Sequence, residues 1–262
     1  MKKLGILGLG HMGMAVAEGA LRLYSPEDVC AYDISPQKQQ AAQKLGITIF
    51  PSCREVCENA SIVLTAIRPQ DIDQVLQEIR EAVPQCILTI AAGIPIRRFT
   101  DVLGSIPVIR AMPNTPLQLG EGAVALCRNE VCPDAYMEEA MKLFSTMGKA
   151  VVIDESHMCD IIAVNGSTPA YFYYLVQCLL EDAVSRGIDE ADARTLIVQT
   201  MIGSGKLLEA DPQKPVSEFV IAVCSKGGTT IEAISVMKKR DLNKLIRDAD
   251  QACIDRAEEL GR

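Results

Sequence analysis

From Lys2 to Leu23 the chain reads KKLGILGLGHMGMAVAEGALRL. A short apolar run reaches Gly8, Gly10 and Gly13, and the small residues Ala15, Ala17 and Ala20 then recur where a helix must lie close to a sheet. The order is strand, glycine turn, helix. In a dinucleotide-binding turn the first glycine makes the tight turn, the second lets backbone approach the pyrophosphate, and the third lets helix and strand touch. The helix start offers unpaired N–H groups and partial positive charge to the phosphates. A lone GxGxxG is a weak signal, but a second apolar run, VCAYD, ends at Asp33, 20 residues past Gly13. That placement points to a Rossmann-type unit.

Asp33 bears on the cofactor. A carboxylate at the end of the second strand accepts hydrogen bonds from ribose hydroxyls and repels a 2′-phosphate, which favours NAD(H), with NADP(H) as the alternative. No arginine follows in ISPQKQQ, where the first cation is Lys38. The competing reading is that Asp33 caps the turn at DISP.

Outward from this unit, apolar runs alternate with helical patterns: GITIF, SIVLTAI before RPQDIDQVLQEIREAV, CILTIAA before IPIRRFTDVL, then IPVIRAMP. Such repetition predicts a doubly wound parallel sheet covered by helices on both faces. Ligands bind at the carboxyl edge of such a sheet, so Ala66, Ile67, Arg68 and Pro69, with Ala91, Ala92 and Gly93, are expected to line the cofactor cleft. Arg68 reads equally as a cofactor contact and as a solvated helix-start residue. In RAMPNTPLQLGEG, Pro113 and Pro116 set the backbone direction and leave Asn114 and Thr115 to offer side-chain donors; a rigid crossover is the alternative reading.

Bulk properties narrow the function classes. The 262 residues carry a net charge of −8 with 48% hydrophobic content, which suits a globular enzyme and argues against a nucleic-acid or anionic-membrane surface. No apolar run approaches the roughly 18 residues of a membrane span, and the glycine-broken start has no signal-peptide pattern. Ten cysteines lie scattered without a CxxC pair, and there are two histidines. They read as reduced packing residues of a cytoplasmic protein, with no metal site.

Past about Met158 the strand-like runs give way to helical periodicity, which predicts a dinucleotide-binding domain over 1–157 and an all-α domain over 158–262. Residues 170–180 are apolar nearly all round, more than a small helical domain can bury alone. A homodimer is therefore expected, with Tyr171, Phe172, Leu175, Val176 and Leu179 in its core. Lys206 lies where a helix lysine serves as proton donor in some hydroxyacid dehydrogenases, although such a lysine is usually solvated.

A second anion signal lies in VCSKGGTTIEAISV, Val223–Val236. Its glycines permit a tight turn, and the N–H groups of Gly228, Thr229 and Thr230 converge at a helix start. A pocket one charge wide suits a small carboxylic acid, with Ser225 and Lys226 at the rim; a plain N-capped loop is the alternative.

Taken together, GLGHMG, IRPQ, AAGI, IRAMPNTP, NGSTPAY and SKGGTTIEA occur in the order and spacing of pyrroline-5-carboxylate reductases, which the chain resembles over essentially its whole length. The resemblance implies reduction of L-1-pyrroline-5-carboxylate to L-proline by hydride from NAD(P)H. It also implies a Rossmann domain followed by a helical dimerisation domain, and assembly of dimers into rings. It assigns cofactor contacts to Gly8, Gly10, His11, Met12, Gly13, Ile67, Arg68, Pro69, Ala92 and Asn114, and the substrate carboxylate to Gly228, Thr229 and Thr230. Thr230 is the catalytic candidate, through a hydrogen bond to the imine nitrogen. Its hydroxyl is too weak an acid to donate a proton near neutrality. Lys226 stands where proline is usual and His11 where asparagine is frequent. The alternatives are another imino-acid or β-hydroxyacid dehydrogenase on the same plan, with Lys206 essential, and a non-catalytic dinucleotide-binding protein.

Overall fold

A computed structural model of the chain describes residues 1–261. The first strand, β1 (Lys2–Leu7), is buried from Leu4 to Leu7 on both faces, as a central parallel strand must be. Helix α1 (His11–Ala20) follows the glycine turn. Then come β2 (Val29–Tyr32), α2 (Pro36–Lys44), β3 (Thr48–Ile49), α3 (Cys53–Asn59) and β4 (Ala60–Thr65). The alternation continues through α4 (Ile72–Ile79), β5 (Ile87–Thr89), α5 (Ile96–Leu103) and β6 (Val108–Met112). After it lie β7 (Gly122–Arg128), α6 (Asp134–Ser145) and β8 (Gly148–Val152).

The strands form one sheet in the order β3-β2-β1-β4-β5-β6-β7-β8. The chain runs outward from β1 through β2 and β3, then returns to place β4 on the other side of β1. The strand order therefore reverses between β1 and β4, and a crevice opens there at the carboxyl edge. The parallel arrangement expected from the sequence holds from β1 to β6, but β7 runs antiparallel to β6, and β8 is parallel to β7. The reason is the connection: Thr115–Leu119 forms one short 3-10 turn, too short for the crossover a parallel strand needs.

Two apolar layers clothe the sheet. Val16, Ala17, Leu143 and Phe144 pack with Leu4 and Ile6 on one face, and Val56, Leu76 and Phe99 pack with Leu7 and Val63 on the other. Each buried aromatic ring contributes roughly 2 kcal/mol. All ten cysteines are free thiols, six of them buried. Burial pushes Cys30 and Cys57 up to about 12, which leaves them inert packing groups.

By its contacts the chain divides into two compact units, residues 1–169 with 250–262, and residues 170–249. The expected division at 157/158 differs from this in two respects. Residues 158–169, including a π-helical turn at Ile162–Gly166, pack with the sheet, and so does the end of the last helix. The second unit draws on α7 (Thr168–Ser185), α8 (Glu190–Ala210), α9 (Val216–Val223), α10 (Thr229–Lys239) and α11 (Leu242–Leu260). Among the described residues no helix is long and apolar enough to cross a membrane.

On α7, Phe172, Leu175 and Leu179 are about half exposed within the single chain, as is Ile202 on α8, where Leu196 is 67% exposed. Large apolar side chains exposed in this number along two helices point to a covering surface. Changing Phe172 and Leu175 together to glutamate is expected to reduce the sedimenting species to a monomer; an unchanged mass would contradict association through this face.

Candidate active site

The glycine turn is built by close contacts. The Gly8 N–H donates to the Tyr32 carbonyl at 2.9 Å, and the Ala66 N–H donates to Leu7 at 2.8 Å, so the turn is pinned to both neighbouring strands. Gly8 adopts φ 92°, a left-handed conformation unfavourable to other residues. A methyl on Gly13 would overlap the Gly8 carbonyl, so α1 seats directly on the turn. The first amide bonded within this helix is that of Met14, donated to Gly10 at 2.9 Å. The amides of His11, Met12 and Gly13 therefore point out of the helix end. Gly10 carries no side-chain cap, the first turn has no acidic residue, and nothing lies within 4 Å of where a Gly10 Cβ would be. Open space in front of uncapped amides fits a pyrophosphate.

Beside the turn is a cavity of about 460 Å³ lined by Gly8, Gly10, Tyr32, Asp33, Lys38 and Ile67, among others. Asp33 is only 6% exposed. Its Oδ2 accepts the Leu9 N–H at 2.6 Å and its Oδ1 the Ser35 N–H at 2.8 Å, while the Lys38 ammonium stands 3.6 Å from Oδ2. Asp33 thus ties the glycine turn to the turn after β2, which is the geometry of the turn-capping reading. Arg68 also lines the cavity, with its side chain 81% exposed and paired to Asp71 at 2.7 Å. Pro69 opens a short 3-10 turn behind it, and Ala66 lines the same cavity.

The other expected cofactor residues divide. Ala91 and Gly93 are buried, whereas Ala92 is partly open. Asn114 does not present a free carboxamide: its Oδ1 accepts the Ala123 N–H at 2.9 Å and its Nδ2 donates to the Asn165 carbonyl at 3.2 Å. The sequence reading missed Asn165, whose Nδ2 bridges the carbonyls of Met112 at 2.9 Å and Ala123 at 2.8 Å. Two asparagines thus lock the end of β6, the start of β7 and the π-helical turn together. The motif NGSTPAY was visible, but no local pattern announces a π-helical turn.

In the helical unit, Gly228 is the N-cap of α10 and its own N–H closes the turn by donating to Ser225 at 3.0 Å. Thr229 and Thr230 are the first helical residues, so the open amides begin there. Of the three amides expected to hold a carboxylate, Gly228 is therefore already engaged. Ser225 and Lys226 are exposed, as is Lys206 in α8. Among the described residues no cluster of His, Cys, Asp and Glu is placed to hold a metal.

Residues 155–260 match a family model described as pyrroline-5-carboxylate reductase dimerisation, and residues 3–93 match one described as NADP oxidoreductase, coenzyme F420-dependent. The pyrroline-5-carboxylate reductase of Haemophilus influenzae is 31% identical over 99% of this chain and 97% of its own length. The chain belongs to the pyrroline-5-carboxylate reductase family. The Escherichia coli K12 member is 30% identical, with 100% of this chain and 99% of the relative covered. A solved Plasmodium falciparum pyrroline carboxylate reductase with NADP bound superposes at a TM-score of 0.89, with 25% identity and coverage of 100% and 98%.

The open space at Gly10 makes it the informative position in the turn. Gly10→Ala puts a methyl into the open space before α1 and is expected to weaken dinucleotide binding about tenfold, about 1.4 kcal/mol, with an unchanged melting temperature. Unaltered binding by fluorescence titration would contradict this placement of the pyrophosphate.

Proposed function

We infer that this chain reduces the C=N bond of L-1-pyrroline-5-carboxylate, giving L-proline, with a reduced pyridine dinucleotide as the hydride source. The observation that carries the reading is the pairing, in a chain of this family, of two separate uncapped helix starts. One, at His11–Gly13, has open space before it and no acidic residue in its first turn, and the other, at Thr229–Thr230, is likewise uncapped, with Glu232 in its first turn.

The residues are given these roles. The amides of His11, Met12 and Gly13 bind the pyrophosphate, with Ala66, Ile67, Arg68, Pro69 and Ala92 bordering the dinucleotide. Asp33 and Lys38 face its adenosine end. The amides of Thr229 and Thr230 hold the substrate carboxylate, with Ser225, Lys226 and Gly228 shaping the turn around it. The Thr230 hydroxyl hydrogen-bonds the imine nitrogen and orients the ring. Little else is required of side chains, because bringing hydride donor and imine carbon to contact distance with water excluded supplies most of the acceleration. The active assembly is a homodimer, with dimers joining into a ring.

Of the two dinucleotides, NADH is favoured. The Asp33 carboxylate is fixed by two amides at the adenosine end and holds the Lys38 ammonium beside it, so no unpaired cation is offered there to a 2′-phosphate. Asp33→Asn is expected to raise kcat/KM for NADPH relative to NADH about tenfold, about 1.4 kcal/mol; an unchanged ratio contradicts this role.

The direct test of the activity follows NADH absorbance with pyrroline-5-carboxylate and with its six-membered homologue. Turnover is expected with the five-membered imine foremost, and NADH binding without oxidation of either would contradict the reading. Thr230→Val is expected to raise KM for the imine about tenfold while NADH affinity stays the same. Equal losses for both ligands would contradict a separate carboxylate site.

A further inference from the structure

The segment Ile90–Pro95 joins β5 to α5 at the carboxyl edge of the sheet, and two distant parts of the chain grip it. From one side comes Glu155, whose Oε1 accepts the Ile96 N–H at 2.7 Å. Ile96 is the first residue of α5, where Pro95 as N-cap offers no side-chain acceptor, so Glu155 supplies the missing cap from 59 residues away. The same oxygen lies 3.8 Å from Nη1 of Arg110, which is 4% exposed, and the Arg110 guanidinium also reaches Cys159 Sγ at 3.8 Å. A mostly buried arginine thus holds the capping carboxylate in place.

From the other side comes the end of α11. A methyl on Gly93 would overlap the Ala257 carbonyl and crowd Leu260, and one on Gly261 would overlap the Gly93 carbonyl. Gly93 itself sits at φ 80°. Backbone therefore lies on backbone with no side chain between. Ala257 is 4% exposed, and one turn earlier Cys253 Sγ lies 3.2 Å from Ser167 Oγ, in the segment that Asn165 fastens to Met112. The last two turns of α11 thus hold two of the segments that form the carboxyl edge.

We propose that Glu155 and the Ala257 turn of α11 form a clamp that positions the Ile90–Pro95 segment for hydride transfer, making both positioning residues for the reaction. The proposal rests on the reading above, in which Ala92 borders the dinucleotide. The physical warrant is that a displacement of about 1 Å at a reacting centre costs on the order of a hundredfold in rate. Binding of the adenosine and pyrophosphate, by contrast, draws on β1, α1 and β2, which the clamp does not touch.

Ala257 is 4% exposed, so Ala257→Leu overfills its buried surroundings and displaces the turn of α11 whose carbonyl lies on Gly93. Glu155→Ala removes the cap, and Glu155→Gln retains an acceptor oxygen for the Ile96 amide. In Ala257→Leu and Glu155→Ala, kcat is expected to fall at least about tenfold while the Kd for NADH stays within about twofold. Amide hydrogen exchange in the peptide spanning residues 90–96 is expected to rise in both. Glu155→Gln is expected to keep kcat within about threefold of the parent and to keep that peptide protected. Unchanged kcat or unchanged exchange in the first two variants overturns the clamp, as does a loss of NADH affinity parallel to the loss of kcat. If the parent chain itself oxidises no NADH with the imine, the functional reading has failed instead, and the exchange measurement still decides the clamp.

Discussion

The contact between Gly13 and the Gly8 carbonyl sets everything downstream in the first unit. Because no side chain fits there, α1 seats on the end of β1, and its uncapped amides open onto the crevice where the strand order reverses. Asp33 secures the arrangement from the far side by binding the Leu9 amide. Fold and ligand chemistry are thus not separable here: the close approach that closes the turn also leaves His11, Met12 and Gly13 facing outward as donors.

A second constraint acts at the carboxyl ends of β5 and β6. The segments after β5 and β6 are anchored in the core by Ala91, Ile94 and Leu117, and polar and backbone contacts fasten them further. Asn114 accepts the Ala123 N–H and donates to the Asn165 carbonyl, the Asn165 side chain donates to the carbonyls of Met112 and Ala123, and the end of α11 lies on Gly93. The backbone groups that these asparagines bind are held directionally, while Asn165 Oδ1 is buried without a hydrogen-bond partner.

Much of this was legible in the sequence. The glycine spacing, the acidic end of β2 and the alternation of apolar runs announce the sheet unit, because each reflects a local rule of turn or period. The apolar circumference of residues 170–180 likewise announces a helix that needs a covering surface. The reversal of β7 was not legible, since GAVALC reads the same in either direction and only the length of the connection decides. The capping of the DISP turn by Asp33 was one of the two readings its place offered, but its second bond, to the Leu9 amide, and the spending of Asn114 on backbone were not legible. A polar residue at the right place in a motif looks identical whether it faces a ligand or an amide 24 residues away. The return of 250–261 to the sheet unit depends on contacts between segments far apart in the chain, 86 residues for Ser167 and Cys253 and more for Gly93 and Ala257, which no local pattern encodes.

The proposed function gives each of the two helix starts its own anion. A crystal structure of the chain with NADH and L-proline together tests this most directly. The account predicts the pyrophosphate against the amides of His11 and Met12 and the proline carboxylate against those of Thr229 and Thr230. Proline bound elsewhere, or a carboxylate held by side chains with the α10 amides left to water, would contradict it.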